Sequence, residues 1–305
     1  MNNSSTMIGE MRVSIGIDIG GTNIKGGLVR GRRILRKIEV GAGTGMVARI
    51  TALIRRLISK QKVERIGIGC AGLVDPHRGV IHYSPNIDEF RNIPLAALIE
   101  EEFGIRCSIL NDVNAFLLGE WLFGAGRGYQ DLIGLTIGTG IGGAAIIGGR
   151  MLWGSGYLAG EFGHMVIDKK GPLCSCGRRG CLEIVASQTA IMRMARRYHL
   201  PLSDPEGVAR LAKSGNKKAL QIFDAIGHNL AIGIGNLIDI FDPEVVIVGG
   251  GIANAGAILF GPIRRYIRQE VMGYRYRRIR ILPARLKKGA SIIGAAHFDE
   301  QLLTP

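Results

Sequence analysis

An α/β fold made of two related halves is expected from the pattern of this 305-residue chain. Short Val- and Ile-rich segments alternate with segments whose apolar residues recur at helical spacing. Two strand pairs also share one grammar: GIDIGGTNIKGGLV from Gly16 to Val29, and LTIGTGIGGAAII from Leu135 to Ile147. Each is an apolar strand, a glycine-rich turn carrying a Thr, and a second apolar strand. The length suits two domains of ordinary size, and 47% hydrophobic residues are enough to fill their cores.

Along the chain, Arg12–Gly20 and Gly26–Val40 read as strands, Met46–Lys60 as an amphipathic helix, Arg65–Asp75 as a strand and Pro94–Phe103 as a helix. The strand Arg106–Leu110 leads into a helix over Val113–Trp121, with Asn111 and Asp112 as its candidate caps. The second half opens with a β-hairpin over Asp131–Gly149. It continues with helices over Leu182–His199 and Lys217–Phe241, and then a strand ending in a glycine turn over Pro243–Ala253. A last helix covers Ala290–Leu303. The charge-free run from Leu132 to Gly149 imitates a membrane span, with Gly138 and Gly142 at GxxxG spacing. Glycines cost roughly 1 kcal/mol each in a helix relative to Ala, and β-branched residues flank these, so the run is assigned to the hairpin and no membrane partner is expected.

Either hairpin alone is an ordinary β-turn. As a pair they suggest two anion cradles, because glycine permits positive φ and leaves no Cβ between backbone N–H groups and a phosphate. Facing each other across a cleft, they would grip one polyphosphate. Gly-x-Gly-x-x-Gly occurs at Gly138, Gly140 and Gly143 and again at Gly67, Gly69 and Gly72, so it carries little weight as a dinucleotide fingerprint. A strand rather than a helix follows Gly143, which argues against NAD, and no P-loop motif is present.

The segment EFGHMVIDKKGPLCSCGRRGCLE, from Glu161 to Glu183, gathers His164, Cys174, Cys176 and Cys181 between two carboxylates. One imidazole and three thiols match the tetrahedral preference of zinc, and four protein ligands define a structural rather than a catalytic ion. A local disulfide or a set of buried thiols is the competing reading. It leaves one thiol odd, and Cys174 and Cys176 are too close in sequence to bridge without strain. Such a zinc can contribute roughly 10–16 kcal/mol of apparent binding energy to a glycine-rich loop that has no core of its own. Cys70 and Cys107 sit among apolar strand residues and read as core thiols, while His77, His82, His199, His228 and His297 lack partners at ligand spacing.

The net charge of +14 and the basic run from Arg275 to Lys288 raise nucleic acid as a partner. No nucleic-acid-binding motif accompanies the charge, so none is expected. The N-terminal residues lack the basic and apolar regions of a secretory signal, and the five cysteines do not form a secreted disulfide pattern, so the expected compartment is the cytoplasm.

DIGGT at Asp18, LNDVNA at Leu110, GTGIGG at Gly138, GEFGH at Gly160, CSCGRRGCLE at Cys174 and VGGG at Val248 together resemble the ROK family of sugar kinases and repressors. The resemblance runs from about Val13 to His297. It implies an actin-like ATPase fold, two ribonuclease-H-like α/β domains around a nucleotide and sugar cleft. The expected domains are residues 1–118 with 290–305, and residues 119–289 with the zinc loop. The family pattern implies that Asp18 orients Mg2+ and ATP, with Gly20, Gly21, Thr22 and Asn23 as the first phosphate loop. Gly138, Thr139, Gly140, Gly142 and Gly143 would form the second, and Gly249, Gly250 and Gly251 the adenosine-side turn. Glu161, His164 and Glu183 resemble the family's sugar-binding trio, with Gly72, Asn86, Asn111 and Asp112 as further sugar contacts. One His164 nitrogen would bind zinc while the other meets a hydroxyl. Phosphoryl transfer needs one base beside the acceptor hydroxyl, and Asp112, at a strand end where α/β sheets place ligands, is that base.

The expected activity is ATP-dependent phosphorylation of a hexose at the 6-hydroxyl, with glucose first because AGLVD and SPNID look like glucokinase loops. An N-acetylhexosamine (ManNAc or GlcNAc) or fructose kinase of the same family is the alternative, and a sugar-responsive regulator or a non-catalytic sugar binder the rival of another class. The chain departs from the family pattern in two places: Phe90 stands where Trp is common, and Lys287 and Lys288 replace an acidic turn. The added charge keeps polyphosphate open as a donor. Family resemblance also implies a homodimer or homotetramer.

Overall fold

The computed structural model describes residues 12–58 and 61–299. In chain order its elements begin with strands β1 (Val13–Ile19), β2 (Asn23–Arg30) and β3 (Arg33–Gly41), helix α1 (Met46–Ile58), and strands β4 (Arg65–Cys70), β5 (Leu73–Asp75), β6 (Val80–Tyr83) and β7 (Arg91–Ile93). Helix α2 (Leu95–Phe103), strand β8 (Cys107–Asn111), helix α3 (Asp112–Phe123) and strands β9 (Leu132–Ile137), β10 (Ile141–Ile147) and β11 (Arg150–Met151) follow. Then come α4 (Leu182–Ala186), α5 (Gln188–Arg197), α6 (Pro205–Lys213), α7 (Lys217–Phe241), β12 (Val245–Gly249), α8 (Ala257–Glu270), β13 (Arg280–Pro283) and α9 (Ala290–His297). None of the helices among the described residues is long and apolar enough to cross a membrane.

The repeated hairpin is part of a larger repeat. One sheet runs β3-β2-β1-β4-β8 and another β11-β10-β9-β12-β13. In each, the first strand pairs antiparallel with the second (β1 with β2, β9 with β10) and parallel with the fourth (β1 with β4, β9 with β12), and the fourth pairs parallel with the fifth. This is the ribonuclease-H-like order of the actin-like ATPase fold, present twice. The described residues divide into two compact units: those within 12–128, 150–159 and 285–299 form the first, and residues 129–149 and 160–284 the second. Helix α3 runs without a break through residues 118 and 119, where one domain boundary is expected, and the first unit continues to Gly128.

Three expectations are corrected by backbone geometry. Gly26–Val40 is two strands, because Gly31 at φ 53 makes the turn between them. Arg65–Asp75 is divided between β4 and β5 in different sheets, because Gly72 at φ 121 redirects the chain. Leu182–His199 is two helices separated at Ser187, whose backbone is extended. The last helix ends at His297, and residues 300–303 of its expected span lie outside the described residues.

In the first unit α9 packs on α3, β1 and β4. The approach is close enough that a Cβ on Gly67 would lie 1.8 Å from the Ala295 carbonyl oxygen, so glycine is required there by space. Ile15, Ile17, Ile66 and Ile68 are fully buried with Leu53 and Leu57 of α1, and each such side chain contributes roughly 1.5–3 kcal/mol by leaving water.

The fully buried Glu120 of α3 accepts hydrogen bonds from three backbone N–H groups, Ala125 at 2.7 Å, Arg285 at 3.0 Å and Leu286 at 2.7 Å. It ties α3 to the segment that enters α9. Replacement by Ala leaves these three part-buried donors without their acceptor, so Glu120→Ala should destabilise the fold by about 1–3 kcal/mol, read as a fall in the urea midpoint.

Candidate active site and metal centre

In the first unit the candidate residues collect at the carboxyl ends of β1, β4 and β8, three parallel neighbours. Asp18 stands opposite Lys25 on β2 and Gly69 on β4. Burial pushes the Asp18 carboxyl up from its ordinary value, Lys25 and Lys37 oppose this, and Glu39 adds to it. A carboxylate whose charge is penalised by burial fits a divalent cation, which restores the charged form. Nearby, Cys70 is fully buried, and burial, Asp112 and Asp18 all push its thiol up. Cys70 and Cys107 are buried in the core, as expected.

The turn after β1 is closed by a hydrogen bond from Gly20 N–H to the Asn23 carbonyl at 3.0 Å, and the Thr22 carbonyl accepts from Ala42 N–H at 2.8 Å. Asn86 lies over this turn: a Cβ on Gly21 would be 2.9 Å from the Asn86 Cβ. Asn111 is the N-cap of α3, its Oδ1 accepting from Val113 N–H at 2.8 Å and Asn114 N–H at 3.4 Å. Its Nδ2 donates to the Gly72 carbonyl at 3.2 Å, so two sequence candidates bind each other. Capping falls to Asn111 rather than Asp112. Asp112 is the first helical residue, its Cα 3.5 Å from where a Cβ on Gly69 would stand. Phe90 is fully buried.

In the second unit the glycine turn differs in detail from the sequence reading. Gly142 and Gly143 lie within β10, paired with Thr136 and Leu135, so the open turn is Gly138–Gly140. None of these glycines has positive φ; Gly250 does, at 86. Helix α5 holds the turn from behind: Gln188 N–H donates to the Gly138 carbonyl at 2.9 Å and the Thr189 hydroxyl to the Thr139 carbonyl at 3.2 Å. The extended backbone at Ser187 places both donors, and no local pattern in the sequence marks this helix break. The turn Gly249–Gly251 follows β12, and a Cβ on Gly251 would be 3.0 Å from the Gln188 Nε2. Beside it is a cavity walled by Phe223, Ile252 and Ala255, with Glu206 and Arg210 at its polar side. Glu206 and Arg210 belong to α6, a helix that the sequence reading misses. Its signal is nonetheless present, since Asp204 and Pro205 have the form of an N-cap and a first helical residue, and Asp204 Oδ1 accepts from Gly207 N–H at 2.6 Å.

His164, Cys174, Cys176 and Cys181 come together with their ligand atoms all within 4.8 Å of one another. Cys176 Sγ is 3.6 Å from Cys181 Sγ, and Cys174 Sγ is 3.7 Å from His164 Nδ1. Zn–S bonds of about 2.3 Å and Zn–N bonds of about 2.0 Å at a tetrahedral centre place ligand atoms roughly 3.5–3.8 Å apart, so the four residues fit zinc. The exposed Cys176 thiol is lowered to about 6, first by the Arg178 backbone N–H and then against burial by the Arg178 side chain and its neighbouring thiols. Burial first, then Cys176 and Cys174, push Cys181 up to about 12. Three thiols of which one ionises readily and another resists are a set that a doubly charged ion unifies. His164 Nδ1 faces the metal position, leaving Nε2 on the other side, 4.0 Å from Glu161 Oε2.

The basic stretch has structural tasks. Arg277 pairs with Asp242 at 2.7 Å and Asp239 at 3.2 Å and donates to the Ile238 carbonyl at 3.0 Å, closing the end of α7.

Two repeated ribonuclease-H-like sheets, a glycine turn after the first strand of each and a three-cysteine, one-histidine metal centre define a protein of the actin-like ATPase class. The family model described as ROK family matches residues 14–301, and the chain belongs to the ROK family. It is 37% identical to a glucokinase of Thermotoga maritima, over 94% of this chain and 97% of that protein. Among solved structures it is similar to a ROK family glucokinase from Streptomyces griseus in complex with glucose and AMPPNP, with a TM-score of 0.85 and 35% identity over 95% of this chain and 99% of that one. A ROK hexokinase from Thermus thermophilus follows, with a TM-score of 0.78 and 34% identity over 93% and 96% of the two chains.

Proposed function

We propose that the chain is an ATP-dependent hexokinase that converts glucose to glucose 6-phosphate. The observation that carries the reading is Asp112, a carboxylate at the start of α3 on the carboxyl edge of the sheet that also carries Asp18. Phosphoryl transfer depends on positioning and charge neutralisation more than on covalent help. Asp112 accepts the proton of the 6-hydroxyl as that oxygen bonds to the γ-phosphorus and the bond to the β-phosphate oxygen breaks. Mg2+, when bound with ATP, neutralises phosphate charge, and Asp18 is its protein partner. In the first unit Gly20–Asn23 form one phosphate turn, and Gly72, Asn86 and Asn111 shape the sugar loops. Nδ2 of Asn111 retains one N–H for a hydroxyl.

In the second unit Gly138–Gly140 form the other phosphate turn, with Gly142 and Gly143 holding it from β10. The cavity beside Gly249, Gly250 and Gly251 seats the purine, with Phe223 and Ile252 as its apolar lining and Glu206 as the carboxylate available to an exocyclic amine. Glu161, His164 Nε2 and Glu183 receive sugar hydroxyls. The zinc held by His164, Cys174, Cys176 and Cys181 is structural and fixes the ring of His164. The protein works in the cytoplasm as a homodimer or homotetramer and takes no nucleic acid; the ion pairs of Arg277 account for part of the basic stretch without one.

A panel of glucose, mannose, fructose, GlcNAc and ManNAc, each offered with ATP and with polyphosphate, tests the reading by product. Glucose with ATP should give the highest kcat/KM. A higher value with an N-acetylhexosamine would move the activity within the family, and sugar binding with no product would leave a non-catalytic binder.

A further inference from the structure

Glu183 stands two residues beyond the metal ligand Cys181, in the first turn of α4. Its two carboxylate oxygens face different partners. Oε1 lies 3.9 Å from Cys174 Sγ, and Oε2 accepts a hydrogen bond from Ile141 N–H at 3.0 Å. The Gly138–Gly140 turn is closed by Gly138 N–H on the Gly140 carbonyl at 2.9 Å, and Ile141 is the next residue, so the carboxylate grips the turn at its exit. Gly140 supplies independent support: a Cβ there would lie 2.3 Å from Glu183 Oε2, while the backbone is not in the left-handed region. Glycine is needed at 140 to admit the carboxylate, not to satisfy a torsion angle. Gln188 and Thr189 hold the entry side of the same turn, so the loop hangs at both ends from the helices that follow the metal loop.

We propose that Glu183 is a positioning residue for the second phosphate turn, holding it in its nucleotide-binding shape before any sugar is present. The proposal rests on the kinase reading. It gives Glu183 a task on the donor side that a sugar contact alone would not include, and it makes the turn a mechanical dependant of the metal loop.

The test is titration of the zinc-loaded, sugar-free protein with Mg2+ and a non-hydrolysable ATP analogue, with zinc content measured for every variant. Glu183→Ala should bind the analogue about tenfold or more weakly with full zinc. Glu183→Gln, which keeps an amide oxygen for Ile141 N–H, should stay within about threefold of wild type. Gly140→Ala should also lose about tenfold, because the new methyl displaces the carboxylate, and the double variant Gly140→Ala/Glu183→Ala should be no weaker than Glu183→Ala alone. Wild-type binding together with unimpaired binding by Glu183→Ala overturns this proposal alone, as do equal losses in Gln and Ala, zinc loss from Glu183→Ala, or additive losses in the double variant. A wild-type protein that ignores the analogue overturns the kinase reading as well.

Discussion

Asp112→Asn should lower kcat by a factor of about 10²–10⁴, the range that a positioned general base contributes, while the fold, the zinc content and nucleotide affinity stay as in wild type. The substitution keeps the size of the side chain and removes its capacity to accept and hold a proton. Structural collateral should be small, because the helix start is capped by Asn111 through Val113 and Asn114, not by Asp112. The glucose KM should change far less than kcat, since the base acts on a proton that moves only in the transition state. The checking measurement is a coupled kinase assay beside an ATP-analogue titration of the same sample. Turnover within about threefold of wild type would remove Asp112 from the role.

Loss of zinc should be the largest stability effect. The loop from Glu161 to Glu183 contains exposed Val166 and Leu173, and beyond a single 3-10 turn over Phe162–His164 and scattered turn hydrogen bonds its only β pairing is two isolated bridges, Val166 to Cys181 and Leu173 to Arg179. It has little core to fall back on. Structural zinc in small domains contributes roughly 10–16 kcal/mol of apparent binding energy. If only about 5 kcal/mol of that reached global stability, Tm would fall by roughly 10–20 °C in a domain of this size. Cys181→Ser, or exhaustive chelation, should therefore release one zinc per chain, lower Tm by that margin and abolish sugar phosphorylation, because Glu161, His164 and Glu183 all border the loop. Acidification should release the metal in the same way, since thiolates and neutral imidazole are its ligands and protons compete for them. Metal analysis with a thermal melt checks both, and an unchanged melt in zinc-free protein would contradict a structural role.

The features legible in the sequence are local or have rigid spacing. The metal centre is legible because one His and three Cys fall within a short segment, and few other chemistries use that set. The paired hairpins are legible because both glycine turns interrupt apolar strands in the same way, and the structure extends that likeness to the full strand order of both sheets. What the sequence does not disclose depends on partners far along the chain. Glu120 reaches Leu286, and Glu89 accepts from Gly45 N–H at 2.7 Å and Met46 N–H at 2.9 Å, capping α1, whose first turn has no acidic residue of its own. Nothing in the local pattern around Glu89 marks it as a cap. The break at Ser187 is hidden for a related reason: both flanking segments have good helix formers, and the extended residue between them serves Gly138, about fifty positions earlier in the chain. The glycines near 140 stand out in the sequence as a flexible turn, but the requirement at Gly140 comes from a carboxylate that approaches from α4.

The most direct test of the central claim is to incubate wild-type protein with glucose, ATP and Mg2+ and identify the product by phosphorus and proton magnetic resonance. Stoichiometric ADP and a phosphate ester on carbon 6 are the predicted products. ATP consumption that does not depend on sugar, or an ester at another carbon, would contradict the hexokinase reading.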